Sequence, residues 1–167
     1  MRARLRGWHL AVMLVAVVAI SGAVQAAMAT VGGTSAGAVV AVGIARSTDA
    51  TSTTSQSYVN LPGALVNMRG QGLLVVRFSA ESECTGGTTG NWCSVEVLVD
   101  GVQAKPDSGL DFAFDTVDGG KWEGNAVERS IKVGPGLHHI RLRYATVGSG
   151  STFRLDDWSM SVERAAA

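Results

Sequence analysis

Two tryptophans in glycine-rich stretches are the residues of this sequence best suited to binding chemistry. Trp92 follows a Gly- and Thr-rich stretch, and Trp122 lies between a Gly-Gly pair and Gly124. A large ring on a loop exposes apolar area unless something covers it, and the apolar face of a sugar is one such cover. We expect the nearby amides of Asn91 and Asn125 to bind sugar hydroxyls. The alternative is that each ring folds over the core as a lid.

Aspartates in the second half of the chain are candidate calcium ligands. One pair lies in the stretch 115–120, whose spacing does not match an EF-hand loop, and the other pair is adjacent in sequence. Extracellular modules bind calcium weakly through carboxylates and loop carbonyls. We therefore predict no cofactor, with the exception of a structural calcium ion for which Asp115, Asp118, Asp156 and Asp157 are the candidate ligands. The alternative is that these residues form turns, as aspartate commonly does.

No catalytic set is predicted from the sequence. Neighbouring residues of a strand point to opposite faces, so His138 and His139 are not expected to chelate one metal ion. No serine lies in a sequence that resembles a nucleophile elbow. A glycosidase needs two carboxyl groups at a defined separation across a cleft, which a sequence does not reveal. We therefore expect a protein that is not an enzyme, and a hydrolase that uses the Asp-rich loops is the least favoured alternative.

The first 26 residues have the three-part layout of a secretion signal. Three arginines precede a wholly apolar run, Leu10–Ile20, and small residues follow up to Ala26. We predict cleavage near Ala26, a flexible lead-in over 27–37 and a folded, secreted domain over 38–164. The alternative is an uncleaved anchor over Leu10–Ala29, which is long enough to span a bilayer and also places the domain outside the cytoplasm.

The chain has two cysteines, Cys84 and Cys93, separated by a stretch rich in turn formers. In an exported protein such a pair is expected to form a disulfide. On the chain-entropy account, closing a loop of this length stabilises the fold by about 2.5–3 kcal/mol. The alternatives are two free thiols or a metal pair, and a zinc site would need a second pair of ligands that the sequence lacks.

The net charge argues against nucleic acid as a partner. The chain has 14 basic and 14 acidic residues, and removal of the three arginines of the signal leaves 11 against 14, a net charge of −3. Binding to phosphate backbones needs a basic footprint, and a mildly acidic domain argues against one. Contact with a membrane is expected only during export or through an uncleaved signal.

Short segments of alternating apolar residues, separated by glycine-rich turns, predict an all-β fold. The Ser- and Thr-rich segment Arg46–Ser57 is expected to be a loop. About eight strands in an antiparallel, jelly-roll-like β-sandwich fit the pattern. Counted strictly there are nine candidate segments, of which Tyr58–Leu61 and Phe112–Phe114 have the weakest pattern. The segments are Ala38–Ala45, Tyr58–Leu61, Leu65–Arg69, Leu73–Glu81, Cys93–Val99, Phe112–Phe114, Val127–Val133, His138–Tyr144 and Phe153–Glu163. We expect the final three to form a meander of hydrogen-bonded neighbours.

The last predicted strand contains a change of phase. Phe153 and Leu155 alternate in one phase, whereas Trp158 and Met160 alternate in the other. A β-bulge inserts one extra residue into a strand, so that residues in both phases can face the core. We therefore predict a bulge at Asp156-Asp157 with Trp158 buried.

Several motifs along the domain are familiar as a set, namely Arg77–Ser82, the Cys84–Cys93 pair, Val97–Gly101, Pro135–His138 and Phe153–Trp158. With these motifs the chain resembles small secreted bacterial β-sandwich proteins that are themselves uncharacterised. The resemblance implies export and a β-sandwich, and it carries no active-site motif. Similarity to jelly-roll carbohydrate-binding modules is at the level of architecture, and a shared fold does not imply a shared function.

From the sequence we predict a secreted, non-catalytic binding module for a glycan or a cell-envelope polymer. Its stacking residues would be Trp92 and Trp122. The alternative is an extracellular structural subunit that oligomerises by burying a sheet face, with Leu73, Val75 and Leu98 on the outer faces.

Overall fold

The computed structural model describes residues 37–166, which form ten strands and one short 3-10 turn at Gly109–Asp111. The strands are β1 (Val39–Ser47), β2 (Thr51–Thr53), β3 (Val59–Arg69), β4 (Gly72–Gly86), β5 (Trp92–Val99), β6 (Val102–Gln103), β7 (Asp115–Thr116), β8 (Glu123–Val133), β9 (Leu137–Val147) and β10 (Ser151–Ala165). The predicted secretion signal and nearly all of the predicted lead-in lie outside the described residues.

The strands form two antiparallel sheets packed together. Sheet A has the order β1-β10-β4-β8, with β2 also beside β10, and sheet B has the order β3-β9-β5-β6, with β7 also on the free edge of β5. When β2 is grouped with β1, and β7 with β6, the ten strands fill eight positions. Numbered along the chain, these positions run 1-8-3-6 and 2-7-4-5, which is the jelly-roll order. The predicted all-β, jelly-roll-like sandwich is confirmed.

The predicted meander of the last three strands is wrong. β8 pairs with β4 in sheet A, β9 lies between β3 and β5 in sheet B, and β10 returns to sheet A. The segment Gly134-Pro135-Gly136 therefore carries the chain from one sheet to the other instead of closing a hairpin. Alternation shows only that one side of a strand is buried. Two successive strands have the same alternation whether they pair in a hairpin or lie in the two facing sheets.

Three other segments differ from the prediction. β3 is a single strand across most of Tyr58–Leu61 and all of Leu65–Arg69, with a register shift against β9 in its first half. Phe112–Phe114 is not a strand; Phe114 is buried in the core, and the adjacent β7 pairs with β5. β2 lies within the Ser- and Thr-rich segment that was expected to be a loop, because that segment completes the edge of sheet A beside β10.

The predicted bulge in β10 is confirmed. The pairing of β10 with β4 shifts register between Asp156 and Ser159, and Asp157 adopts a φ of 42°. Leu155 before the bulge and Trp158 after it are both buried, so the two phases of the strand face the core. The extra residue thus removes the conflict that strict alternation would have created.

The core between the sheets contains a group of aromatic rings. Phe78 lies 5.7 Å from Phe114 and 6.3 Å from Trp158 between ring centroids. Arg129 of β8 points inward, with its guanidinium 4.5 Å from the ring centre of Phe112. Burial lowers the pKa of Arg129, and the aromatic ring gives its charge a favourable contact.

The predicted disulfide is confirmed, with an S–S distance of 2.04 Å between Cys84 and Cys93. Cys84 belongs to β4 of sheet A, whereas Cys93 belongs to β5 of sheet B. Both residues are fully buried. The bond therefore joins the two sheets through the core, in addition to closing the loop between β4 and β5.

The edge strand β1 turns its small residues inward and its large ones outward. Ala41 packs against the core, and a Cβ at Gly43 would lie only 2.4 Å from Cγ1 of Val66 in β3. On the other side of the strand, Val42 and Ile44 are 59% and 65% exposed. Because only small residues fit between β1 and β3, the large apolar residues of β1 lie on the other side of the strand. They form an apolar stripe on the outer face of sheet A.

Candidate functional site

The two candidate tryptophans lie on opposite outer faces of the sandwich. Trp92 precedes the inward-pointing Cys93 in β5, so it points away from the core on sheet B. Trp122 lies beside Arg154, which follows the inward-pointing Phe153 in β10 and therefore points outward from sheet A. The predicted pair of stacking residues thus does not form a single platform.

Trp92 is held against the protein by its polar edge. Its indole Nε1–H donates a hydrogen bond to the backbone oxygen of Leu110 at 2.7 Å. The same 3-10 turn accepts a hydrogen bond at Gly109 O from the hydroxyl of Tyr58, at 2.8 Å. These contacts place the turn over the outer face of β5, and they favour the lid interpretation for Trp92.

Trp122 is 44% exposed and lies in the loop before β8. The guanidinium of Arg154 lies 5.8 Å from the centre of its ring. Arg154 also forms an ion pair with Glu83 of β4, with 3.0 Å between Nη1 and Oε2. The site combines an exposed aromatic ring, a guanidinium and a carboxylate, and we call these three residues the Trp122 cluster.

The loop before β8 folds closely over β4. Gly120 adopts a φ of 87°, and a Cβ there would lie 3.3 Å from Oε1 of Glu83, so glycine permits both the turn and the close approach. As a result Glu83 is only 7% exposed, whereas the side chain of Arg154 is 53% exposed. The carboxylate therefore anchors the guanidinium, which keeps donors available for an incoming oxygen.

The two candidate asparagines have internal partners. Nδ2 of Asn91 donates to Oγ of Ser151 at 3.3 Å, and its amide packs where a side chain at Gly148 would stand. Nδ2 of Asn125 donates to Oγ of Ser82 at 2.9 Å. The first bond ties the loop before β5 to the start of β10, and the second joins β8 to β4. Binding of the two amides to sugar hydroxyls stays a prediction, and these contacts compete with it.

The four candidate calcium ligands do not converge. Asp115 is buried and accepts a hydrogen bond from the Ser82 hydroxyl at 2.7 Å. Burial raises the pKa of Asp115, and the negative charge of Asp118 adds to the effect. Asp156 and Asp157 lie at the bulge, where Asp156 accepts a hydrogen bond from the Asp157 backbone at 2.9 Å. Among residues 37–166 no group of three or more His, Cys, Asp or Glu side chains is arranged to hold a metal ion, so structural calcium stays a prediction.

His138 and His139 point to opposite faces, as their adjacency in β9 requires. Nδ1 of His138 lies 2.7 Å from Oδ2 of Asp100, and its Nε2 lies 2.9 Å from the carbonyl oxygens of Gly70 and of Gly134. All three partners accept hydrogen bonds, which favours the imidazolium, and the bond to Asp100 is the main cause of the raised pKa of His138. The ring ties three turns together at one end of the sandwich.

A row of basic side chains on the outer face of sheet B was not among the predicted site residues. His139, Arg141 and Arg143 alternate with buried residues along β9, and we call these three the β9 strip. A shallow depression of about 550 Å³ lies beside them, lined by the strip together with Asn60, Leu98, Asp100 and Gly101. The period of two between the basic residues is the signal in the sequence that could have located the strip.

Comparison of the chain with protein-family models and with curated proteins gives no match. Between residues 37 and 166 no helix is both long and apolar enough to cross a membrane.

Proposed function

We propose that the protein is exported and acts outside the cytoplasm as a non-catalytic module that binds a glycan or another polymer of the cell envelope. The observation that carries the proposal is the Trp122 cluster, in which a ring that is 44% exposed lies beside an anchored ion pair. An exposed indole offers an apolar face to a sugar ring, while the guanidinium of Arg154 donates hydrogen bonds to its oxygens.

Export is supported by the inter-sheet disulfide and by the N-terminal sequence. Disulfides persist in oxidising compartments and are rare in the reducing cytosol. The Cys84–Cys93 bond is buried in the core, so the folded domain incorporates it as a structural element. The basic and apolar segment that precedes the described residues has the layout of a secretion signal.

A polymer suits this site better than a single sugar. Burial of about 100 Å² of apolar surface between a ring and a sugar contributes about 2.5 kcal/mol, before the entropic cost of association is subtracted. One such contact binds a monosaccharide weakly. A surface that displays many copies of the same unit increases retention through repeated rebinding and avidity.

The proposal is tested with the variants Trp122→Ala and Trp122→Phe. Because Trp122→Ala removes the stacking surface, we expect loss of retention on the insoluble polysaccharides or cell-wall fractions that hold the unmodified protein. Trp122→Phe keeps a smaller ring and should keep part of the retention. The measurement is depletion of the exported, oxidised protein from solution over a panel of such polymers.

Thermal unfolding of the same variants is the control, since an exposed residue should change stability little. A blank panel for the unmodified protein would rule the proposal out. Equal retention of Trp122→Ala and the unmodified protein would also rule it out.

An assembly subunit is the second candidate, and the outer face of sheet A favours it. Val42 and Ile44 are exposed on the edge strand β1, which pairs with β10 on one side, and Leu73 and Val75 are half-buried on the same outer face. A long apolar edge strand is a template for pairing with another chain. Leu98, by contrast, lies on the outer face of sheet B.

Under this second candidate, two copies would pair through β1. Ile44→Lys places a charge on the apolar stripe and should dissociate the assembly, as measured by sedimentation equilibrium over a wide concentration range. Arg77→Lys on the same face conserves charge and serves as the matched control. A protein that sediments as a monomer at the highest concentration would eliminate this candidate.

A further inference from the structure

The outer face of sheet B carries positive charge that its carboxylates do not neutralise. Arg141 lies between Leu65 of β3 and Leu98 of β5 in the register of the sheet, so neither cross-strand neighbour is acidic. Arg143, two residues along, forms an ion pair with the buried Glu96. Among residues 37–166 Arg141 forms no ion pair, and its side chain is exposed.

The carboxylate at the end of the strip is engaged by the fold. Asp100 accepts a hydrogen bond from the His138 ring at 2.7 Å and one from the backbone N–H of His139 at 2.8 Å. These two contacts, the first being the larger, lower the pKa of Asp100. Nδ1 of His139 donates a hydrogen bond to the amide oxygen of Asn67 at 2.7 Å. Asp100 is therefore held by the turn that contains it, and within residues 37–166 it forms no ion pair with Arg141.

The spacing of the strip fits an extended ligand. Alternate residues of a strand repeat about every 6.6–6.8 Å, so the Cα atoms of Arg141 and Arg143 lie about that far apart on one face. Glu96 holds the guanidinium of Arg143, and among the described residues Arg141 presents the guanidinium without a carboxylate partner. The adjacent depression of about 550 Å³ has room for a short stretch of polymer, with Asn60 and Leu98 in its lining. A planar guanidinium binds a carboxylate or a phosphate through two parallel hydrogen bonds.

We infer that the outer face of sheet B binds carboxylate or phosphate groups that repeat along a linear extracellular polymer, with Arg141 as the principal contact. This site lies on the opposite side of the sandwich from the Trp122 cluster and does not depend on it. A net charge of −3 for the chain without its three signal arginines disfavours a densely charged polyanion. Duplex DNA, with one negative charge per about 1.7 Å, is such a polyanion, whereas an envelope polymer can carry charges that are more widely spaced.

The test is equilibrium binding of the protein exported from the full chain in an oxidising host. The probes are polygalacturonate for carboxylate, poly(glycerol phosphate) for phosphate and neutral dextran. We expect binding to at least one anionic polymer at low salt. Arg141→Ala should weaken that binding about tenfold, through loss of one charge-assisted contact. It should also reduce the dependence of log K on log salt by about 1, whereas Arg141→Lys should preserve this dependence.

The matched control is Arg46→Ala, which removes an exposed arginine from the outer face of sheet A and should leave the affinity unchanged. Preference for one anionic polymer over the other assigns the group as carboxylate or phosphate. Binding to neither polymer, equal weakening by Arg46→Ala and Arg141→Ala, or tighter binding to a single-stranded oligonucleotide would overturn the inference.

The two proposed sites are distinguished by measuring each variant with each polymer. Loss of anionic-polymer binding in Trp122→Ala but not in Arg141→Ala overturns the inference and leaves the proposed function standing. Binding to the anionic polymer that requires Arg141, together with no retention on any polymer through Trp122, supports the inference and removes the proposed function of the Trp122 cluster.

Discussion

Hydrogen bonds at single residues separate the side chains that serve the fold from those that are left facing solvent. Trp92 donates its N–H to Leu110, and Asn91 and Asn125 donate to serine hydroxyls. Trp122 instead presents its ring to solvent, with Arg154 held beside it by a nearly buried carboxylate. Residue type alone did not distinguish the two tryptophans, since both lie in glycine-rich stretches.

His138 makes the stability of the domain depend on pH. Its folded-state pKa is raised above the ordinary value of 6.5, mainly by the hydrogen bond to Asp100. The stabilisation is therefore fully present below about pH 6.5, and it is lost as the pH rises through the higher folded-state pKa. We expect the melting temperature of the oxidised protein to fall over this interval.

The variant His138→Asn should be less stable by about 1–3 kcal/mol at acidic pH, since a charged group that makes several hydrogen bonds is lost. The stability of this variant should also change less between about pH 6.5 and the folded-state pKa of His138 in the unmodified protein. His139→Asn, at the exposed neighbouring position, is the control. An unmodified protein whose unfolding free energy is constant over that interval would contradict this account of His138.

At the scale of the elements, alternation located most strands but not their partners. The change of phase between Leu155 and Trp158 identified the bulge in β10. A strand that buries one face can bury both of these side chains only if an extra residue lies between them. The same period could not show that β9 lies in the other sheet from β8 and β10. β2 was missed because its three residues owe their conformation to pairing with β10, and a Ser- and Thr-rich segment has no apolar alternation.

The disulfide between β4 and β5 should contribute measurably to stability because it joins the two sheets. Replacing both Cys84 and Cys93 with alanine should lower the free energy of unfolding by about 2–4 kcal/mol, measured by urea denaturation of the oxidised protein. The unmodified protein after reduction of its disulfide provides a comparison without a change of sequence. Coincident unfolding curves for the oxidised protein and the double variant would contradict this expectation.

At the scale of the whole molecule, the two proposed surfaces lie on the two outer faces of one sandwich. The Trp122 cluster is carried by β4, β10 and the loop before β8 in sheet A, and the β9 strip by sheet B. The fold class and the disulfide were predictable because they follow from local patterns and from cysteine count. The outer face on which a loop residue lies depends on long-range topology, which explains why the predicted pair of tryptophans was divided between two faces.

Quenching of tryptophan fluorescence tests the central claim most directly. The exported protein would be titrated with a neutral quencher, alone and with a retained polysaccharide, beside Trp122→Phe. Trp158 is buried and Trp92 is half-buried, so Trp122 should dominate the freely quenched emission. We predict that this component is absent from Trp122→Phe and is protected when polysaccharide is bound. Quenching that is the same in Trp122→Phe, or that no polysaccharide reduces, would contradict binding at the Trp122 cluster.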